Sequence, residues 1–137
     1  MKFVKVFYKC DDYITAFDVF PLNDKLICCG NYSGRIFFYD YESKKLTMEN
    51  QINLQKRKSS TSDTEVIEVA HISCLTFSIN GRHLVCGLDN GNIIQLEPNI
   101  LTVQSLFKHS YVKIVSIKFS RDSSFMVFYV SWFNLYY

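Results

Sequence analysis

Proline and glycine are scarce, 2 and 5 residues in 137, which excludes collagen-like and low-complexity linker architectures. Paired cysteine motifs are missing. Cys10, Cys28, Cys29, Cys74 and Cys86 form no Cys-x-x-Cys step and lie in no His-rich spacing, so neither a zinc site nor a dithiol redox motif is expected. An odd cysteine count without a secretory leader implies free thiols in a reducing, cytoplasmic setting. Met1 runs directly into Lys2-Phe3-Val4-Lys5 with no long apolar core, so no signal peptide is expected. Nor does any apolar run reach the ~20 residues of a spanning helix. The tail from Phe125 to Tyr137 is the nearest approach, and Ser131 and Asn134 interrupt it, so no membrane insertion is expected. A strong charge of either sign is absent too: 15 basic and 13 acidic residues leave a net +2, too little to draw a nucleic acid by bulk attraction.

Aromatics are plentiful, with 12 Phe and 9 Tyr. With frequent Val, Ile and Thr they suit a pleated, half-buried surface and indicate an all-β chain. No stretch sustains a 3.6-residue apolar period with caps, so helices should be rare.

The decisive feature is repetition. Ile14-Thr15-Ala16-Phe17-Asp18-Val19, Ile72-Ser73-Cys74-Leu75-Thr76-Phe77 and Ile114-Val115-Ser116-Ile117-Lys118-Phe119 each place apolar residues first, fourth and sixth. The first two units continue through a turn to an apolar run ending in Cys-Gly, Cys29-Gly30 and Cys86-Gly87. A Ser33-Gly34 or Asn90-Gly91 step follows, then another strand. Such Gly steps supply the positive φ that tight hairpins require. Ile72 and Ile114 stand 42 residues apart, the ~40–45-residue period of a four-stranded propeller blade. The longer first interval is explained by the polar run Lys56 to Glu65, read as a surface loop. Strands are expected at 14–19, 26–30, 35–40 and 45–52, then at 72–77, 84–87, 92–96 and 101–107, then at 113–119 and 125–130. Residues 3–8 would be the last strand of a preceding blade. The units span about 13–55, 71–107 and 112–130 of a single partial domain, 1–137, with 128–137 an atypical tail.

In these residues the chain resembles the WD-repeat family, whose blades run from an inner strand ending in Phe-Ser-Pro, through an Asp-Gly turn, to a closing Trp-Asp. Here Phe77-Ser78 and Phe119-Ser120 stand at the first position, Ser33 and Asn90 replace the turn Asp, and Tyr39-Asp40 and Leu96-Glu97 replace the closing pair. Lys108-His109 only hints at the family's Gly-His, so the family's Asp-His-Ser/Thr-Trp hydrogen-bond set is absent. The resemblance implies a partial β-propeller of about two and a half four-stranded antiparallel blades. A narrower likeness, carried by Gly30 to Ile36, Tyr39 to Glu42, Gly87 to Leu96 and Phe107 to Ser123, is to ciliary WD-repeat proteins of the calmodulin- and spoke-associated complex. It implies a cytoskeletal home in the axoneme of a cilium or flagellum. Beyond Val127 the likeness stops, and a truncated product, an alternative exon or an error in the gene's assembly is expected to account for the tail.

Catalytic chemistry finds no foothold. His71, His83 and His109 lack a Ser or Cys partner in any nucleophile motif, and His83, in a turn, is expected to face solvent. Asp11-Asp12 reads as a solvated doublet. Asp89-Asn90-Gly91-Asn92 faintly resembles a calcium loop but lacks its remaining ligands and closing Glu. The Gly87 to Gly91 spacing sits between strands and makes no phosphate loop. Cys28 and Cys29, as strand neighbours, should point to opposite faces, one buried and one outward. Lys56-Arg57-Lys58 reads as a solvated basic cluster, with Ser59 to Ser62 beside it open to phosphorylation. The sequon Asn31-Tyr32-Ser33 is expected to go unused. Phe37, Tyr39, Phe77 and Phe119 alternate as core residues, not as base-stacking ones.

No catalytic, cofactor or metal site is therefore expected. The function class that remains is a non-catalytic scaffold binding other proteins, axonemal subunits by the narrower likeness. The alternatives are a general WD-repeat adaptor in trafficking or ubiquitin pathways and, less favoured, a nucleic-acid-binding β-domain. Closed propellers need about four blades, so further blades or a partner are expected to complete this one.

Overall fold

The computed structural model describes residues 13–55, 67–109 and 111–131. Among them the first repeat forms β1 (Ile14–Val19), β2 (Leu26–Asn31), β3 (Arg35–Asp40) and β4 (Lys45–Gln51), an antiparallel sheet in the order β1-β2-β3-β4. Two short strands outside the expected set, β5 (Asn53–Gln55) and β6 (Ile67–Val69), pair with each other. The second repeat gives β7 (Ile72–Phe77), β8 (Leu84–Leu88), β9 (Asn92–Leu96) and β10 (Val103–Lys108), again neighbours in chain order. The third gives only β11 (Ile114–Phe119) and β12 (Met126–Val130). The described residues contain no helix.

Where strand limits depart from expectation, local geometry explains it. Ile52 ends β4 because it turns inward: it is buried, and its N–H donates to Gly34 O at 2.8 Å. Ile52, Leu54 and Ala70 pack into the core on either side of the excess polar segment, which is why β5 and β6 bracket it. The 56–65 segment and residues 3–8 lie outside the described residues. The fourth strand of the second sheet starts at Val103 rather than 101. Leu101 adopts φ 57°, its N–H bonds Glu97 O at 2.7 Å, and its side chain is fully buried. The β2–β3 hairpin turns on Gly34 at φ 83°. Asn31 Oδ1 fastens this turn by accepting from the N–H groups of Ser33 (3.1 Å) and Arg35 (2.9 Å).

The sheets stack through their first strands, β7 lying between β1 and β11. One core joins Ala16, Cys28, Ile36 and Phe38 of the first sheet to Leu75, Phe77, Ile94 and Leu96 of the second. Phe20, Phe38 and Phe77 meet there with ring centroids 5.1 to 6.0 Å apart. A second core joins Val85 and Ile93 to Ile114 and Ile117, with Met126, Phe128 and Val130 packed against it. The first and third sheets thus each bury a face on the second, which is covered on both sides, as radial blades must be. Among the described residues the architecture is all-β, a partial propeller of two four-stranded blades and two strands of a third.

Candidate protein-interaction surface

Both blade joints use one device, repeated. The first strand of every blade carries a β-bulge at its second residue: Thr15, Ser73 and Val115 each stand where the register shifts. A bulge re-aims its side chain. The Thr15 hydroxyl donates across the joint to Ile72 O at 2.5 Å, and the Ser73 hydroxyl donates likewise to Ile114 O at 2.5 Å. The isoleucines whose carbonyls they grip lie over glycines of the preceding blade. A Cβ on Gly30 would stand 2.8 Å from Ile72 Cγ2, and one on Gly87 only 2.5 Å from Ile114 Cγ2 and 2.6 Å from Cys74 Sγ. Only a residue without a side chain lets the next blade approach so closely. Asp18 adds a further bond at the first joint, accepting from Phe77 N at 2.9 Å.

With the joints closed, the connecting turns at one end of the arc form a continuous rim. His71 stacks on Tyr32 with centroids 3.9 Å apart, and its Nδ1 meets Tyr32 O. Asp89 follows, its N–H bonded to His71 O at 3.0 Å and its carboxylate 3.8 Å from Lys113 Nζ. The Lys108 ammonium sits 4.1 Å from the ring centroid of Tyr111, itself 85% exposed. A cleft of about 170 Å³ opens between Tyr32, Val69, His71, Asp89 and Asn90. Exposed aromatic rings are enriched at protein contact sites, where charged groups such as these belong to the polar margin. A larger groove, about 310 Å³, lies between the outer half of the second blade and the third, lined by His83, Val85, Ile93, Phe107, Phe119 and Met126.

Residues singled out by sequence fall as follows. His83 is half-buried rather than solvent-facing: its Nδ1 lies 3.1 Å from Gln95 Nε2 and its ring stacks parallel to Phe119. The turn that carries it folds back onto β9, which closes off one ring face. His109 is exposed and meets Phe128 edge-on at 4.8 Å. The three histidines are thus spread over the rim and the groove, each against an aromatic ring. Cys28 and Cys29 do point to opposite faces, but both are buried, Cys28 in the first joint and Cys29 with Phe37 and Tyr39. Neither is the outward thiol that strand alternation alone implies, because the first blade's other face is covered as well. Burial pushes the thiols of Cys28, Cys74 and Cys86 above their ordinary range. Asn90 Oδ1 accepts from Asn92 N at 3.1 Å, a turn-closing bond, and the described residues hold no group of three His, Cys, Asp or Glu side chains able to share a metal. Asn31, the sequon residue, is fully buried and occupied by its turn. Phe37, Tyr39 and Phe77 are buried and offer no ring face to a nucleobase, while Phe119 is half-buried against the second joint. Asp11, Asp12, Lys56 to Lys58 and Ser59 to Ser62 lie outside the described residues. The Thr15 and Ser73 clasps are not among the sequence candidates. Their trace was there, a hydroxyl after the leading Ile of two repeats, but nothing in one chain's sequence tells that it reaches the next repeat.

Residues 64–95 match the family model described as WD domain, G-beta repeat. No curated protein matches the sequence. The fold is similar to that in the structure of U3-55K, with TM-score 0.66 at 20% identity over 85% of this chain and 33% of that one. It is similar also to the crystal structure of RRP9 WD40 repeats, with TM-score 0.65 at 18% identity over 85% of this chain and 32% of that one. This chain spans about a third of the length of those solved chains. The architecture is that of a partial WD-repeat β-propeller. The matched residues are similar to one WD repeat, a repeat that serves generally in protein-interaction scaffolds, and the solved structures show the likeness of fold. No helix among the described residues is long and apolar enough to cross a membrane.

Proposed function

We propose that the chain is a non-catalytic WD-repeat scaffold that binds other proteins as part of a ciliary or flagellar axonemal assembly associated with radial spokes. The scaffold part is supported foremost by the rim: Tyr32, His71, Asp89, Lys113 and Tyr111 come from three successive blades onto one contiguous, rigidly backed surface. Function carried on loops held by a stiff β-framework is the usual division of labour in such folds. The axonemal part is supported by the sequence likeness of Gly30 to Ile36 and Gly87 to Leu96 to ciliary WD-repeat proteins. Axonemal subunits, in this reading, dock on the rim.

Tagging the protein at its own locus in a multiciliated cell tests both parts. The expected outcome is tag along the axoneme, retained after detergent extraction, with spoke subunits co-purifying. Retention lost in a Tyr32→Ala, Tyr111→Ala double variant would assign the rim. Tag confined to other compartments, with vesicle-coat or ubiquitin-ligase subunits co-purifying, overturns the axonemal part and leaves a general adaptor.

A further inference from the structure

The rim carries a half-buried carboxylate whose acceptor capacity is unspent. Asp89 lies in the β8–β9 turn with its side chain 32% exposed. No N–H or O–H group of the described residues donates to that carboxylate. Its one ionic contact, Lys113 Nζ at 3.8 Å, is beyond hydrogen-bond reach. An ionised carboxylate offers two strongly accepting oxygens, and one drawn partly out of water gains from any donor that reaches it.

Repetition explains where this group stands. Tyr32 and Asp89 hold the same place in successive repeats, two residues before the turn glycines Gly34 and Gly91. Their contacts His71 and Lys113 each stand one residue before the next inner strand. Each turn thus reaches the entry of the following blade, by ring stacking at the first joint and by charge at the second. The 170 Å³ cleft is walled by the stacked pair, by the Asp89-Asn90 turn and by Val69. All five residues are described, and both blades that flank the cleft have four strands.

The wall chemistry selects a cation. His71 Nδ1 meets Tyr32 O, a carbonyl that only accepts, so the ring proton lies on Nδ1 and the neutral ring leaves Nε2 an acceptor. Tyr32 adds a ring that is half exposed. A carboxylate beside aromatic rings suits a guanidinium, which is planar, carries five donors and stacks on such rings. An ammonium is more strongly hydrated and has no plane to stack. Lys113 and Lys108 stand farther along the rim, so a run of cations is disfavoured there and a single one is not.

We propose that the cleft takes one arginine side chain of a partner protein, its guanidinium on Asp89 and against the Tyr32–His71 pair. Lys113 is then a built-in competitor, an internal cation that has to yield Asp89 before the arginine is seated. The inference rests on the scaffold reading and names the chemistry of one contact on the rim.

The test uses the full chain and a blocked seven-residue peptide with a central arginine and uncharged flanks, titrated by calorimetry. Citrulline at the centre keeps the side-chain shape and removes the charge. The expected result is saturable binding of the arginine peptide, none of the citrulline peptide and several-fold weaker binding with lysine at the centre. Asp89→Asn should weaken binding roughly tenfold or more, the worth of a charged hydrogen bond. Lys113→Met should strengthen it by up to about fivefold, the worth of an exposed ion pair, a gain that misfolding cannot produce. Unchanged amide exchange in β7 to β9 shows that each variant is folded. Equal binding of the citrulline or lysine peptide, wild-type binding by Asp89→Asn, or no gain in Lys113→Met overturns the proposal. So does binding that appears only when Lys56, Arg57 and Lys58 are all changed to Ala, which gives the cleft to the chain's own basic segment. No peptide binding, with the tagged Tyr32→Ala, Tyr111→Ala protein still losing its partners, removes the arginine and leaves the rim. Peptide binding with that variant keeping its partners removes the rim as the docking surface and leaves the cleft.

Discussion

Gly87 shows how much of a propeller joint can rest on one residue. Its missing Cβ is the space in which Ile114 sits, and the atoms that an added methyl would strike include Ile114 Cβ at 2.7 Å as well as Cγ2 and Cys74 Sγ. None of these is the loose end of a long chain. Gly87→Ala is therefore expected to destabilise the protein by about 1–3 kcal/mol, the range for overpacking a core. Gly30→Ala should cost less, since the nearest atoms there, Cγ2 and Cδ1 of Ile72, stand 2.8 and 3.0 Å away and Ile72 Cβ 3.4 Å, so the neighbour has less distance to give. Denaturant melts of the two variants give the comparison, and equal midpoints would mean that the second joint yields as readily as the first. Both glycines were visible in the sequence as the ends of Cys-Gly steps. Their purpose was not, because the clashing partner comes from the following repeat. His83 went astray for the same kind of reason: a turn residue looks solvated until β9 is folded beneath it.

At the level of strands, the sequence was most legible where side chains alternate between two packed faces. The bounds of β1, β3, β7 and β9 follow from period-two apolar patterning and from the turn chemistry of Gly34 and Gly91. It was least legible where one residue abandons the pattern to serve another element, as Ile52 and Leu101 do in turning into the core at the ends of β4 and before β10. The packing also ranks the strands by protection. β8 and β9 are buried on both faces, whereas every residue of β10 is exposed and β12 is only half covered. Amide exchange should be slowest in β8 and β9 and faster in β4, β10 and β12, because local opening follows burial. Exchange in β12 as slow as in β8 would contradict this order.

Over the whole molecule, buried thiols tie stability to alkaline pH. Burial raises Cys28 and Cys86 above the ordinary thiol range, and both are sealed in the core of the first joint. The folded chain holds these protons while the unfolded chain releases them near the usual value of about 8.5. Their contribution is thus complete below that pH and is lost progressively above it, at up to about 1.4 kcal/mol per pH unit for each thiol. Cys86→Ala should be less stable at neutral pH yet show a shallower decline between pH 8.5 and 10.5 in chemical denaturation. Parallel declines in the two proteins would dissociate the thiol from the effect.

The blade clasp has a direction. In both joints the earlier blade supplies glycine and hydroxyl, and the later one supplies isoleucine side chain and carbonyl. A chain emerging from the ribosome therefore finishes each receptacle before its insert is translated. Growth from the amino end can lock every new blade on arrival, and no earlier blade has to wait, half-docked, for a lock made later.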